Sequence, residues 1–440
     1  MAFFYGCKGE DVRSHFRKAW VNDMDYSVES TFETLTFDEK IRHFYDVAER
    51  AMERWNIPFG TAMKLLNFTE NATFCLEPAG APKVILRVHR LDYAKLNNIR
   101  TELQWLIDLK KETNLNLTSP VESKNGVLVE TIKTPAMKEE RHVVCFEYVE
   151  GKVPVDTSDS NEGVGKLIQK IDKIPDKITI PLFKKAAVLY EIFGRVRRKS
   201  PLKPLDRILY RQVGIIAGTL HKQTKHWNYP EFYERMEWNL DGTFGRDWNN
   251  FYGVSYRSAK WFSQKEISIL DACVELIRKR LEAYGKGTER YGMIHSDLRL
   301  ANLLKNGDRI TALDFDDCGM GWYMYDIAGA VGFIEHRPDL TEVVGEIIKG
   351  YETVLPVSPQ DRQEIWTFIM MRRIGLLQSL IYRIGCVMGG SESTELTPEI
   401  LAFYAKGTVV LAKNYLRKYK TKLLPDNLEE EAEYRPMHTA

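Results

Sequence analysis

The sequence predicts an α+β protein of two lobes: a small antiparallel β-sheet lobe carrying one helix, then a larger, mainly helical lobe. Three observations predict it. Near residue 60 the apolar period changes from helical to alternating, and strand-like runs continue to about 150. Beyond 151 the spacing is mostly helical, interrupted near 291–314 by short β-like runs. At 440 residues the chain is long enough for two such lobes. We expect an N-terminal extension and helix over 1–59, the small lobe over 60–150, the large lobe over 151–424 and a tail over 425–440.

The elements follow in order. Residues 41–55 carry apolar side chains at helical spacing. Lys64–Glu77 and Lys83–His89 read as strands around the turn-forming Pro78-Ala79-Gly80-Ala81-Pro82. Leu96–Leu109 is a helix through Ile99, Leu103, Leu106 and Ile107. Val121–Ser123 and Val127–Ile132 flank Asn125-Gly126, a hairpin signal. Arg141–Val149 is a further strand, and Glu150-Gly151 ends the lobe. Residues 151–180 are polar and read as an irregular insertion. Helices are expected over Phe183–Arg198, Leu205–Lys222, 264–284, 326–353, 358–388 and 397–417. The aromatic block 226–263, with Trp227, Trp238, Trp248 and Trp261, is expected to pack in the core or to wall a ligand site.

Composition narrows the class. The chain is 44% hydrophobic and 28% charged, and Lys+Arg 62 against Asp+Glu 61 gives a net charge of +1. That balance is not the footprint of a nucleic-acid or membrane-surface binder. Cys7, Cys75, Cys145, Cys273, Cys318 and Cys386 form no CxxC or zinc spacing and read as scattered buried thiols of a reducing compartment. The start MAFFYGCKGEDVR lacks the regions of a secretory signal. The apolar stretch 365–386 is broken by Arg372, Arg373 and Arg383 and reads as a buried helix. A cytoplasmic monomer or homodimer is expected.

Residues 291–317, YGMIHSDLRLANLLKNGDRITALDFDD, carry the chemistry. His295, Asp297 and Asn302 lie in one turn after the short apolar run Tyr291–Ile294. Asn306-Gly307 between Leu303–Leu304 and Ile310–Leu313 signals a hairpin. Such a hairpin brings Asn302 and Asp314 together as hard oxygen ligands for Mg2+, with Asp297 slightly apart and facing a substrate. Phosphoryl transfer of the kinase type uses these parts in this order: a carboxylate for the attacking hydroxyl's proton, and an amide and a second carboxylate for the metal on the nucleotide.

HSDLRLANLL followed by LDFDD and YDIA resembles the aminoglycoside phosphotransferase, choline kinase and homoserine kinase superfamily, which shares the protein-kinase fold. The resemblance implies Asp297 as catalytic base, Asn302 and Asp314 as metal ligands, and His295 and Asp326 as scaffold of the catalytic turn. It implies ATP and Mg2+ as cofactors. Arg299 stands where protein kinases place a phosphate-contacting Lys. Gly often stands where this chain has Ser296. GIIAGTLH, Gly214–His221, resembles the family's helix leading into the large lobe.

On the nucleotide side, the turn Asn67–Thr73 with Asn71 is the candidate phosphate loop. Arg87, where most relatives have Lys, is the candidate phosphate cation, and Glu102 is its helix acid. Arg can hold phosphate bidentately but differs from Lys in shape. A purely structural Arg87–Glu102 pair is the alternative. A hinge near Phe146–Val149 would meet the purine. Between Asp314 and Asp326 lie only eleven residues, FDDCGMGWYMY, too few for an activation segment. The expected acceptor is therefore a small hydroxylated molecule, aminoglycoside-, choline- or homoserine-like. The alternatives are an atypical stress-response-type protein kinase and a nucleotide-binding pseudokinase scaffold. Asp316, Asp317, Trp322 and Tyr323 could face the acceptor. Arg372 and Arg373 need anionic partners, either a substrate carboxylate or an internal Asp or Glu.

Overall fold

A computed structural model describes residues 32, 35–68, 71–91, 94–134, 139–154, 202–245, 250–259, 261–385 and 398–419. Helix α1 (Phe37–Met52) opens on a capping box in which Thr36 and Glu39 satisfy each other's backbone N–H groups. Strands β1 (Ala62–Phe68), β2 (Ala72–Glu77) and β3 (Val84–Val88) follow, then helix α2 (Leu96–Glu112). Next come β4 (Asn116–Leu117), β5 (Pro120–Val121), β6 (Val129–Lys133) and β7 (Glu140–Glu147). The antiparallel sheet runs β1-β2-β3-β7, with β5 and β6 on the far edge of β7.

Pleating sorts the side chains between two cores. Phe74 and Leu76 of β2, Leu86 and Val88 of β3, and Val143 and Cys145 of β7 pack with Phe44, Val47, Ala48 and Ala51 of α1. Helix α1 thus shares one core with the sheet. Val144 and Phe146 point the other way, into the cluster containing Ile99, Leu103 and Leu106 of α2. Each such buried large apolar side chain contributes about 1.5–3 kcal/mol. Arg87 alternates with Leu86 and Val88, so it leaves the α1 face.

The turn at Asn125-Gly126 differs from expectation. Strands β5 and β6 on its two sides form no ladder with each other. Both pair with β7, end to end: Pro120 opposite Phe146, Val121 opposite Cys145 and Val129 opposite Val144. The turn closes a loop, with Ser123 N donating to Val127 O at 2.9 Å, that interrupts one edge strand. β7 offers one continuous ladder to both pieces, and this tertiary pairing overrides the local signal.

The large lobe contains α3 (Pro204–Thr224), β8 (Glu237–Trp238), α4 (Leu240–Phe244), α5 (Gln264–Tyr284), β9 (Tyr291–Ile294), β10 (Leu303–Asn306), β11 (Arg309–Ala312) and β12 (Gly319–Trp322). Helices α6 (Tyr323–Ala330), α7 (Leu340–Tyr351), α8 (Pro359–Gly385) and α9 (Pro398–Lys418) complete it. The single helix expected over 326–353 is two, α6 and α7, separated by a bend in which Phe333 has φ +69°. β4 pairs in parallel with β11, which stitches the two lobes together behind the cleft. The expected insertion beyond residue 154, the helix at 183–198, most of residues 1–34, Trp248 and the tail lie outside the described residues. Cys75, Cys145, Cys273 and Cys318 are buried and free. Among the described residues no helix is long and apolar enough to cross a membrane.

Helices α3 and α7 cross in direct backbone contact. A Cβ on Gly214 would lie 1.9 Å from Ile347 O, and one on Gly350 would lie 1.9 Å from Arg211 O. Gly345, on the same α7, has open space around it. Gly214→Ala is expected to force the helices apart and cost about 1–3 kcal/mol or more. Gly345→Ala should gain about 0.4–1 kcal/mol by restricting the unfolded chain. Thermal melts of the two variants check this, and equal shifts would refute the close crossing.

Candidate active site

The turn that leaves β9 carries the candidate residues and is held by Asp326 at the start of α6. Asp326 accepts from His295 N at 3.0 Å and from Ser296 N at 2.6 Å. It also accepts from His221 Nε2 at 2.9 Å, and the Tyr351 hydroxyl lies 3.0 Å from His221 Nδ1. These groups are almost fully buried, so the turn rests on a polar post inside an apolar core. Ser296 has φ +70°, a left-handed backbone that favours glycine. The Ser is anchored there by its N–H on Asp326 and by its hydroxyl, which donates to Asp317 O at 2.8 Å.

His295 braces the turn against the hairpin: its Nε2 donates to Leu313 O at 2.9 Å. The Asp297 carboxylate is engaged by three donors. Arg299 Nε and Asn302 Nδ2 each reach Oδ2 at 2.9 Å, and Arg372 Nη2 reaches Oδ1 at 2.6 Å. Burial alone would raise its pKa, but Arg299 and Arg372 outweigh burial and hold it below the ordinary carboxylate range. The sequence placed Arg299 toward phosphate. In the structure its Nε bonds to the Asp297 carboxylate.

The hairpin forms as expected, with Asn306 opposite Arg309 and Gly307 at φ +60°. Leu313 N donates to Asn302 O at 2.9 Å, which sets Asp314 beside Asn302. Asn302 Nδ2 is committed to Asp297 O and Oδ2, leaving Oδ1 for another partner. Asp314 has φ +61°, a conformation that is costly for a non-glycine residue and typical of functional sites. Surrounding protein and the charges of Asp316 and Asp317 raise its pKa well above the usual carboxylate range, and Arg87 opposes the rise. Asp314 is open to water through the cleft, which moderates that shift. A crowded, repelled carboxylate next to a free amide oxygen is a donor set suited to a hard divalent cation.

On the small-lobe side Arg87 Nη2 takes both oxygens of Glu102 at 2.8 and 2.7 Å. Its guanidinium lies 5.0 Å from the centre of the Phe146 ring, and its charge reaches Asp316 and Asp314. Arg87 is thus paired with Glu102, with the carboxylates of Asp316 and Asp314 near enough to act on its charge. Asn71 acts as a latch between the lobes: Nδ2 donates to Asp316 Oδ2 at 2.7 Å, and Oδ1 accepts from Arg90 N at 3.2 Å. Thr69 and Glu70 of the same turn lie outside the described residues. Val149 is half-buried just past the end of β7, and Phe146 is buried.

Some neighbours carried no sequence signal. Arg235, inside the aromatic block, donates to Cys318 O at 2.5 Å, to Asn98 O at 3.0 Å and to Asp316 O. It fixes the segment after Asp314 through backbone carbonyls, which any sequence supplies. Trp238 and Trp227 of that block are buried, as core packing requires. Of the paired arginines, Arg373 meets Glu335 at 3.0 Å, whereas the anion found by Arg372 is Asp297 itself.

A model of the phosphotransferase enzyme family matches residues 65–364. Amicoumacin kinase of Bacillus subtilis (strain 168) is 24% identical over 203 residues, 43% of this chain and 55% of the relative. Hydroxylysine kinase of Bos taurus is 24% identical over 204 residues, 43% of this chain and 50% of the relative. The chain therefore spans about half the length of the curated relatives it matches. The solved structure of a microcompartment-associated aminopropanol kinase superposes with a TM-score of 0.66 and 28% identity, covering 86% of this chain and 99% of the other.

Proposed function

The chain belongs to the phosphotransferase enzyme family, and on that premise we propose that it transfers the γ-phosphate of ATP to a hydroxyl of a small molecule. The observation that carries the reading is the assembly of Asp297, Asn302 and Asp314 at one turn, facing the charge of Arg87. In the reaction a bond forms between the acceptor oxygen and the γ-phosphorus. The bond from that phosphorus to the bridging oxygen breaks, ADP leaves, and the hydroxyl proton passes to Asp297. Asn302 Oδ1 and Asp314 would hold Mg2+, which supplies neutralising charge to the phosphates. Arg87, oriented by Glu102, binds phosphate, and Arg299 and Asn302 orient Asp297. His295 and Asp326 hold the turn that carries them. Phe146 and Val149 line the purine side, and Asn71 closes the phosphate loop.

The names of the relatives, hydroxylysine kinase and aminopropanol kinase, point to small hydroxylated amines as the acceptor class. We place the enzyme in the cytoplasm as a monomer or homodimer without nucleic-acid or membrane partners. Calorimetric titration with ATP, with and without Mg2+, tests the reading without knowing the acceptor. Saturable binding that tightens at least about tenfold with Mg2+ is expected, about 1.4 kcal/mol. Absence of ATP binding in Mg2+ refutes the proposal.

A further inference from the structure

Arg372 is in an unusual position for a structural arginine. It projects from α8, 4% exposed, and its Nη2 lies 2.6 Å from the oxygen of Asp297 that Arg299 and Asn302 leave open. Its Nε is buried without a hydrogen-bond partner. The guanidinium lies over the rings of Trp238 and Tyr325, 5.8 and 5.7 Å from their centres. With Arg372 in place, both oxygens of the base are capped by cations. An acceptor hydroxyl approaching Oδ1 meets Arg372 already on that oxygen. A buried guanidinium that yields this oxygen needs another anion in its place.

The surroundings say where that anion comes from. Arg87 is the cation whose charge reaches Asp314 and Asp316, on the nucleotide side. Arg372 instead interacts with Tyr325, Asp297 and Tyr252. Tyr252 also feels Arg383, three helical turns along α8, and its ring lies 6.2 Å from that of Tyr382. Arg90 stacks on Tyr382 at 5.4 Å and bonds to its hydroxyl. Arg372 sits at Asp297, and Arg90 and Arg383 lie farther along the same run of aromatic rings. Asp317, whose charge reaches both Tyr252 and Tyr325, supplies a negative counterpart for an ammonium.

Building on the phosphotransferase reading, we propose that Arg372 is the carboxylate receptor of the acceptor site and that the acceptor is a hydroxylated amino acid. Its carboxylate draws Arg372 off Asp297, so the base is released only when the correct acceptor is bound. Arg372 acts as a specificity residue and, through Asp297, as a positioning residue.

The test compares matched pairs on the full chain with Mg2+ and ATP: homoserine with 3-aminopropan-1-ol, threonine with 1-aminopropan-2-ol, and 5-hydroxylysine with its decarboxylated analogue. For at least one pair, kcat/KM for the amino acid should exceed that for the amino alcohol by about 100-fold or more, as expected where a buried polar group is left unmatched. In Arg372→Gln that ratio should fall toward unity while the Kd for Mg2+-ATP changes less than about threefold. Arg372→Lys, which keeps the charge, should retain part of the preference and covers the case in which the Gln variant does not fold. Preference for the amino alcohols, an unchanged ratio in the variants, or turnover of neither class by protein that binds Mg2+-ATP overturns the proposal. Loss of ATP affinity in both variants reassigns the anion to the nucleotide phosphate and also overturns it. Failure of the wild type to bind Mg2+-ATP is the separate failure of the phosphotransferase reading.

Discussion

Asp297→Asn is expected to lower kcat by about 10²–10⁴-fold, the range that a positioned general base supplies, while Mg2+-ATP still binds. Among the described residues its hydrogen bond to the proposed metal ligands is the one to Asn302, so Kd and kcat should separate. A second effect follows from Arg372 and Arg299, both of which bond to the carboxylate. Removing the charge leaves buried guanidinium without its anion, a change that typically costs about 3–5 kcal/mol. The variant should therefore melt earlier as well as turn over slowly. The pH dependence has a definite sign. Against the opposing effect of burial, Arg299 and Arg372 hold the Asp297 carboxyl low in the folded protein. Its ion-pair contribution is present above the unfolded value and is lost as pH falls through the lowered one. Acid unfolding of the Asn variant should lack that component. Wild-type-like kcat at saturating acceptor would remove Asp297 from the base role.

Asp314→Asn should behave in the opposite way toward stability. Its surroundings raise the Asp314 pKa, first by crowding protein and then by Asp316 and Asp317. For a carboxylate raised on folding, the folded state holds the proton longer. Stability without metal then falls as pH rises from the unfolded value through the folded one. The neutral amide removes that repulsion. The metal-free variant should be at least as stable as wild type at neutral pH, and its stability should be flatter in pH. It should also lose the Mg2+-dependent part of ATP binding, because one of the two proposed ligands has lost its charge. In the wild type, Mg2+-ATP affinity should rise with pH across the same window, since the cation competes with the proton. Melts and titrations at pH 6 and 8, with and without Mg2+, read both effects. An Asn variant that is less stable without metal and binds Mg2+-ATP normally would show Asp314 to be structural.

The sequence made the catalytic turn legible because its geometry is local. Gly307 at positive φ, paired apolar runs and the spacing from Asn302 to Asp314 are short-range facts, and the hairpin forms on them. Strand alternation and the family resemblance singled out Arg87, the resemblance supplied Glu102, and the structure pairs the two. Ser296 shows what a single residue can hide. Its left-handed backbone explains why glycine suits the position, yet the hydroxyl and N–H bonds that hold it there reach Asp317 and Asp326, far along the chain. Asn125-Gly126 was misread as a hairpin because its local turn preference says nothing of β7, whose free edge both flanks share. Arg235 left no trace because its partners are carbonyls.

By itself the sequence predicted a sheet-rich segment followed by a helical one and most of their elements, and it nominated candidate phosphoryl-transfer groups, because periodicity and spacing act over a few residues. The tertiary structure alone decided which anion meets Arg372. Arg372 and Asp297 are 75 residues apart, and no pattern in either segment relates them. Their contact depends on how α8 packs across the base of the cleft, and in a buried setting such long-range placement sets both the strength and the meaning of a charge.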